Sequence, residues 1–205
     1  MRTHESGMPP DQIWSSFFEP AWLLDQLRLT SQCGHAVEFG CGYGTFTVAA
    51  ARRIRGKFYA IDIDESMLAA TRSKCEVANL NNVEMLERDF ARDGTGLPSE
   101  SVDYVLLFNI LHAEERIALL SEAFRILTLG GKLAVIHWNY DPATPRGPSL
   151  SIRPRPNQCR TWAESVGFQT ETPGPIDLPP YHYGFVFVKS ETEYCKPGDD
   201  PIRSQ

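Results

Sequence analysis

No run of apolar residues in this chain approaches membrane-spanning length, and the opening MRTHESGMPP lacks the apolar core of a signal peptide. No CxxC pair occurs. The five cysteines (Cys33, Cys41, Cys75, Cys159, Cys195) are odd in number and scattered, which tells against a disulfide framework or a zinc site; no metal is expected. Basic residues are in deficit, 20 against 26 acidic for a net charge of −6, so the broad basic face of a nucleic-acid binder is not expected. Internal repeats and low-complexity tracts are also missing. What remains is an ordinary globular composition, 42% hydrophobic and 22% charged. A chain of 205 residues suits one domain able to bury about 70% of its unfolded surface. The expected setting is a reducing cytoplasm, and the expected partner is a small molecule, with neither nucleic acid nor membrane.

From about residue 36 onward, strands and helices alternate, which implies a doubly wound α/β domain with crossover helices on a parallel sheet. HAVEFG, KFYAID, NVEMLER, VDYVLLF and KLAVIHW read as five strands, the fourth apolar enough to lie between two covered faces. Helices are expected from Thr45 to about Arg55, from a cap at Asp64 to about Asn79, and behind Glu114 and Glu115 to a stop at Gly130-Gly131. Residues 139–157 carry five prolines and read as irregular chain; a short helix capped by Asn157 and an alternating strand YGFVFVKS follow. Upstream, Pro20 to about Leu29 reads as an amphipathic helix. The expected division is an N-terminal helical lid over 1–30, a main domain over 31–190 with a substrate-side insertion at 139–182, and a polar tail over 191–205.

The turn between the first strand and its helix carries the chemistry. Glu38-x-Gly40-x-Gly42-x-Gly44 places three glycines two residues apart where the chain must bend sharply, and a backbone without Cβ lets a ligand lie close. The second strand ends in Asp62, suited to accept hydrogen bonds from a ribose diol. Together they describe a pocket for a nucleoside-bearing cofactor. A dinucleotide fingerprint, G-x-G-x-x-G, would need glycine or a small residue at position 45, which is Thr45 here; a nicotinamide-dependent oxidoreductase is therefore the weaker alternative.

The E-x-G-x-G-x-G pattern resembles the first motif of class I S-adenosylmethionine-dependent methyltransferases. Asp62, RDF at Arg88–Phe90, DYVLLFNILH at Asp103–His112 and LGGKLAVIHW at Leu129–Trp138 follow in that family's order. The resemblance covers residues 35 to 140 and is strongest to the small-molecule enzymes similar to those of quinone biosynthesis. It implies a seven-stranded sheet of order 3-2-1-4-5-7-6 with the last strand antiparallel, S-adenosyl-L-methionine as cofactor, and in-line transfer of its methyl group to a small acceptor. A cofactor-binding sensor or partner protein without turnover is the alternative. The implied cofactor contacts are Glu38 and the Cys41 carbonyl at the methionine end, Gly40, Gly42 and Gly44 along the backbone, and Asp62 on the ribose. Ile63 and Met67 would flank the adenine, Asp89 and Phe90 meet its edge, and Asn109 lie against the transferring methyl.

For the acceptor half the residues say less. His112 and His137 are candidate bases near neutral pH, His112 the better placed. The proline-stiffened segment after the fifth strand holds Tyr140, Arg146 and Arg153, suited to an anionic or aromatic acceptor. Trp14, Phe17 and Phe18 are candidates for a lid or for a hydrophobic staple. The Asn-Pro-Pro-aromatic motif of base and glutamine N-methyltransferases is absent, its place taken by Asn109-Ile-Leu-His112.

Overall fold

The computed structural model describes residues 9–190; the polar tail at 191–205, with Cys195, and the first eight residues lie outside the described part. Two short helices, α1 (Asp11–Ser15) and α2 (Pro20–Gln26), precede the alternating core. That core runs β1 (Ala36–Phe39), α3 (Thr45–Ala51), β2 (Phe58–Asp62), α4 (Glu65–Val77), β3 (Val83–Glu87), α5 (Phe90–Asp93), β4 (Val102–Phe108), α6 (Arg116–Ile126) and β5 (Leu127–Trp138). It closes with α7 (Pro156–Val166), β6 (Phe168–Thr170), β7 (Ile176–Leu178) and β8 (His182–Lys189). No helix among the described residues is long and apolar enough to cross a membrane.

The sheet has eight strands rather than seven, in the order β3-β2-β1-β4-β5-β8-β6, with β7 also bonded to β8. β1 to β5 are mutually parallel, and β8 runs antiparallel to β5, β6 and β7. The additional strand is the three-residue β7, which pairs with the start of β8 while β6 pairs with its end. A proline cluster flanking so short a strand hides its pattern in the sequence.

Alternation along the strands divides the core into two layers. Ala36, Phe58, Tyr104, Leu106 and Ile136 face α2, α3 and α4, where Leu24, Leu27, Phe46 and Leu68 pack against them. Val37, Ile61, Val105, Leu107 and Val135 face the other way, onto Leu119, Leu120 and Ala123 of α6 and Ala163 of α7. Each large aliphatic side chain enclosed in this way contributes about 1.5–3 kcal/mol. Tyr104 on β4 donates its hydroxyl to the Leu27 carbonyl at 2.5 Å, fixing the end of α2 to the centre of the sheet.

Three local expectations change. The helix before β5 ends at Ile126, and Gly130-Gly131 lie inside β5, in an irregular excursion between the Val102–Leu127 and Tyr104–Lys132 pairs. Gly130 takes φ of 79° there, so the glycine pair serves a strand irregularity instead of a helix cap. The α7 N-cap is Arg155, with Pro156 as first helical residue, so Asn157 lies within the helix. Finally, the one-turn α5 forms at Phe90–Asp93, where the sequence pointed to no helix.

Candidate active site at the carboxyl edge of the sheet

Because β1, β2, β4 and β5 run parallel, their last residues converge on one edge, the usual place for ligands in open α/β sheets. β8, running the other way, begins there, with His182 opposite Trp138.

The glycine loop is fastened from two sides. The Ile61 carbonyl accepts both the Gly40 and the Cys41 N–H, at 2.8 and 2.9 Å. The Gly42 N–H donates to the Asp62 carboxylate at 2.9 Å, and the Gly42 carbonyl accepts the Thr71 hydroxyl at 2.8 Å. The Cys41 carbonyl takes the Gly44 N–H at 2.9 Å, which leaves its second lone pair. Gly40, Gly42 and Gly44 all have positive φ, 74°, 52° and 74°. Their reasons differ. A Cβ on Gly44 would come within 2.9 Å of Thr71, so this glycine lets α3 pack on α4. A Cβ on Gly40 would lie 3.5 Å from Ile110 and 3.8 Å from Phe90, ordinary contact distances over a backbone that a ligand can approach. The Cys41 side chain is buried and turned toward Thr71.

Acidic groups gather beneath this loop. Glu38 is buried, and its carboxyl accepts the Thr47 hydroxyl at 2.5 Å. Burial raises its pKa to about 8; the Thr47 bond opposes that rise and neighbouring Asp62 adds to it. Asp62 is also raised by burial, against the lowering effect of N–H bonds from Gly42, Asp64 and Ile63. Ile63 and Met67 are half-buried beside it. Asp89 is the N-cap of α5, accepting the Arg92 N–H at 3.2 Å, and Phe90 is buried with its ring 5.3 Å from Phe39.

At the end of β4, Asn109 has φ of 55°, an uncommon conformation for a residue with a side chain. Its backbone N–H is tied to the Ile136 carbonyl at 2.7 Å. Both polar atoms of its carboxamide are buried without a hydrogen-bond partner. An amide left in that state costs about 1–3 kcal/mol unless a ligand satisfies it.

His112 lies in turns that precede α6, not one helical turn beyond Asn109. Its buried Nδ1 has no partner, its ring meets His137 edge-on at 5.6 Å, and burial lowers its pKa. His137 is wholly buried, is unpartnered at both nitrogens, and is lowered further, first by burial and then by His112. Both imidazoles are therefore neutral at pH 7.

One expected substrate residue is corrected. Arg153 is buried, and its guanidinium donates to the carbonyls of Asn139, Asp141, Arg146 and Pro148 and to the Thr144 hydroxyl. Five N–H groups occupied in this way leave none for an anion; Arg153 instead holds the 139–148 loop in shape. Arg146 is exposed and contributes its carbonyl to that cage. Tyr140 faces a cavity of about 390 Å³ that reaches His112. The N-terminal aromatics are packed: Phe18 is buried against Phe46 at 5.0 Å and His182 at 4.7 Å, and Phe17 against Trp138 at 5.4 Å.

Residues 36–131 match the methyltransferase domain family. Demethylmenaquinone methyltransferases from Listeria welshimeri and Bacillus mycoides are similar, 31% and 29% identical over 120 residues. Those alignments cover 56% and 55% of this chain, and the chain spans about half the length of these relatives, 50% and 49%. Among solved structures, a SAM-dependent methyltransferase from Aquifex aeolicus superposes with a TM-score of 0.76 at 22% identity, covering 88% of this chain and 94% of that one. A protein from Sulfolobus solfataricus, described as a type 11 methyltransferase, gives 0.65 at 27% identity over 89% and 96%. The cyclase SpnF shares the fold at 0.64 and 20% identity, over 74% of this chain and 58% of that one.

The residues at this edge suit S-adenosylmethionine, the donor that the sequence motifs imply. The open face of Gly40, the unsatisfied carboxamide of Asn109 and the Asp62 carboxylate provide backbone room, a polar partner and a hydrogen-bond acceptor for a nucleoside. Three residues of this site were not singled out in the sequence: Thr47, Thr71 and Ile110. Only Ile110 had a signal, its place directly after the strand-end Asn109.

Proposed function

We propose that this chain transfers the methyl group of S-adenosylmethionine to a small organic acceptor. When bound, the donor supplies a methyl carbon that an acceptor lone pair attacks while the carbon–sulfur bonding pair returns to sulfur, leaving a neutral thioether. The protein's share is to bind, orient and exclude water, since positioning alone can supply much of the rate.

In this reading Gly40 and Gly42 carry the methionine portion past the loop, with Glu38 and the Cys41 carbonyl near its ammonium group. Asp62 takes the ribose hydroxyls on its remaining lone pairs, Ile63 and Met67 hold the adenine faces, and Asp89 and the Phe90 N–H meet its edge. Asn109 gives its carboxamide to the donor beside the transferring methyl. Neutral His112 accepts the acceptor's proton where one must be lost. The observation that carries the reading is the buried, unpartnered carboxamide of Asn109, held at positive φ beside the glycine loop.

Calorimetry with S-adenosylmethionine and S-adenosylhomocysteine tests the first half, and absence of heat with both compounds ends the proposal. Isotope-labelled methyl donor incubated with cell extract, read by mass spectrometry, tests the second. SpnF, a cyclase by its name, shares this fold, so binding without labelled product favours a donor-binding protein that does not methylate.

A further inference from the structure

The cavity beside His112 has a chemical character that the donor site does not explain. Its lining includes His112, Arg116, Tyr140, Arg155 and Trp162, with Arg153 behind it. Arg116 lies over the Trp162 ring at 4.7 Å and Arg155 over the Tyr140 ring at 3.7 Å. Neither guanidinium forms an ion pair among the described residues, whereas Arg28, Arg53, Arg72 and Arg125 each have a carboxylate partner. Arg116 keeps a buried, unpartnered Nε, and its one hydrogen bond goes to the Glu114 backbone carbonyl at 3.3 Å. Glu114 also borders the cavity, but its carboxylate pairs with neither arginine. The starts of α6 and α7 converge here as well, adding partial positive charge.

We propose that this cavity is the acceptor site and that it takes a small planar acid, a carboxylate on an aromatic ring. The inference rests on the methyl-transfer reading above and specifies its acceptor. Stacking on Trp162 and Tyr140 fixes each guanidinium plane, so its N–H fork is pre-set for a carboxylate. Two such forks and the fixed charge of Arg153 select an anion. The side walls from Leu150, Ile152 and Pro154 leave room for an apolar ring, and about 390 Å³ is in the range of small-ligand sites. His112 lines the cavity and follows Asn109 by three residues, so the nucleophilic atom of the acceptor is assigned to the His112 side. The acid group therefore lies at the far end, away from the methyl.

The test uses 4-hydroxybenzoate, its uncharged analogue 4-hydroxybenzamide and inorganic phosphate as probes, titrated by calorimetry into the whole chain saturated with S-adenosylhomocysteine. The acid is expected to bind at least about tenfold more tightly than the amide or phosphate. Arg116→Gln and Arg155→Gln are each expected to weaken the acid about tenfold without altering affinity for S-adenosylhomocysteine; Arg155→Lys, which retains charge but not the fork, falls between. Donor binding also reports that each variant is folded. Equal binding of acid and amide, phosphate binding as well as the acid, or variants matching the parent chain would each overturn the assignment. Failure of S-adenosylhomocysteine to bind would instead remove the reading beneath it.

Discussion

The Asp62 carboxylate accepts the backbone N–H of Gly42 at 2.9 Å, across the gap between the end of β2 and the turn after β1. The same carboxylate takes the Asp64 N–H at 3.1 Å. One side chain thus shapes the glycine loop and keeps the lone pairs that the proposed function assigns to the ribose.

Asp62→Ala should therefore act twice. It should lower affinity for S-adenosylhomocysteine at least about tenfold and destabilise the fold by about 1–3 kcal/mol, because two buried N–H groups lose their acceptor. Calorimetry and a denaturant titration separate the effects. A variant with normal stability and normal affinity would remove Asp62 from both roles.

Glu38 makes stability depend on pH in a defined direction. Its folded pKa is raised to about 8 from an ordinary 4.5, so the folded chain holds a proton that the unfolded chain releases in between. The stability it contributes is complete below about pH 4.5 and is lost as pH rises through about 8. Glu38→Gln keeps the neutral shape and should flatten that decline. In thermal melts the advantage of the variant should grow from pH 5 to pH 8, by roughly 2–4 °C for each kcal/mol. The buried histidines, all lowered, work in the opposite direction below pH 6.5 and are common to both proteins. Parallel melting curves across this range would show that Glu38 ionises normally.

Asn109 offers a separation of stability from function. Glycine adopts φ of 55° without steric cost and removes a buried unpaired amide, so Asn109→Gly should leave stability unchanged or raise it by up to about 1 kcal/mol. Donor affinity should fall about tenfold. A loss of stability together with full affinity would mean that the carboxamide serves the fold.

Arg153→Ala should loosen the loop it cages. Removing hydrogen bonds to four carbonyls and a hydroxyl should cost about 2–3 kcal/mol and expose residues 139–148 to limited proteolysis. Lysine should not restore it, since a single ammonium cannot span that set of acceptors. Unchanged melting with a raised KM for an anionic acceptor would return Arg153 to the substrate.

The residues proposed to hold the cofactor could be picked out in the sequence because they fall in short runs. Glu38 to Gly44, Asp62, Asp89-Phe90 and Asn109 lie at or just past strand ends, and strand ends can be read from apolar runs. The five-strand core followed from the same runs, whereas the antiparallel course of the last strand was implied only by the family resemblance. The residues proposed for the acceptor were harder to find, since they come from separate segments: Tyr140, in the loop after β5, was singled out, while Arg116 at the start of α6 and Trp162 within α7 have no motif around them. Arg153 illustrates the limit. Its type and its place in a stiff loop suited an anion, but whether a guanidinium faces solvent or its own backbone depends on φ and ψ angles that composition does not specify. Likewise Gly44 reads as a ligand glycine, yet Thr71, twenty-seven residues on, is what requires it.

The two three-residue strands that flank β8 bear on how this molecule behaves in concentrated solution. Between them β6 and β7 occupy the outer rim of the eight-residue β8, and each is too short to recruit a further strand from another molecule. Truncation or loosening of residues 168–178 would uncover a long row of unsatisfied amides and carbonyls beside Phe185 and Phe187, a surface suited to self-association into aggregates.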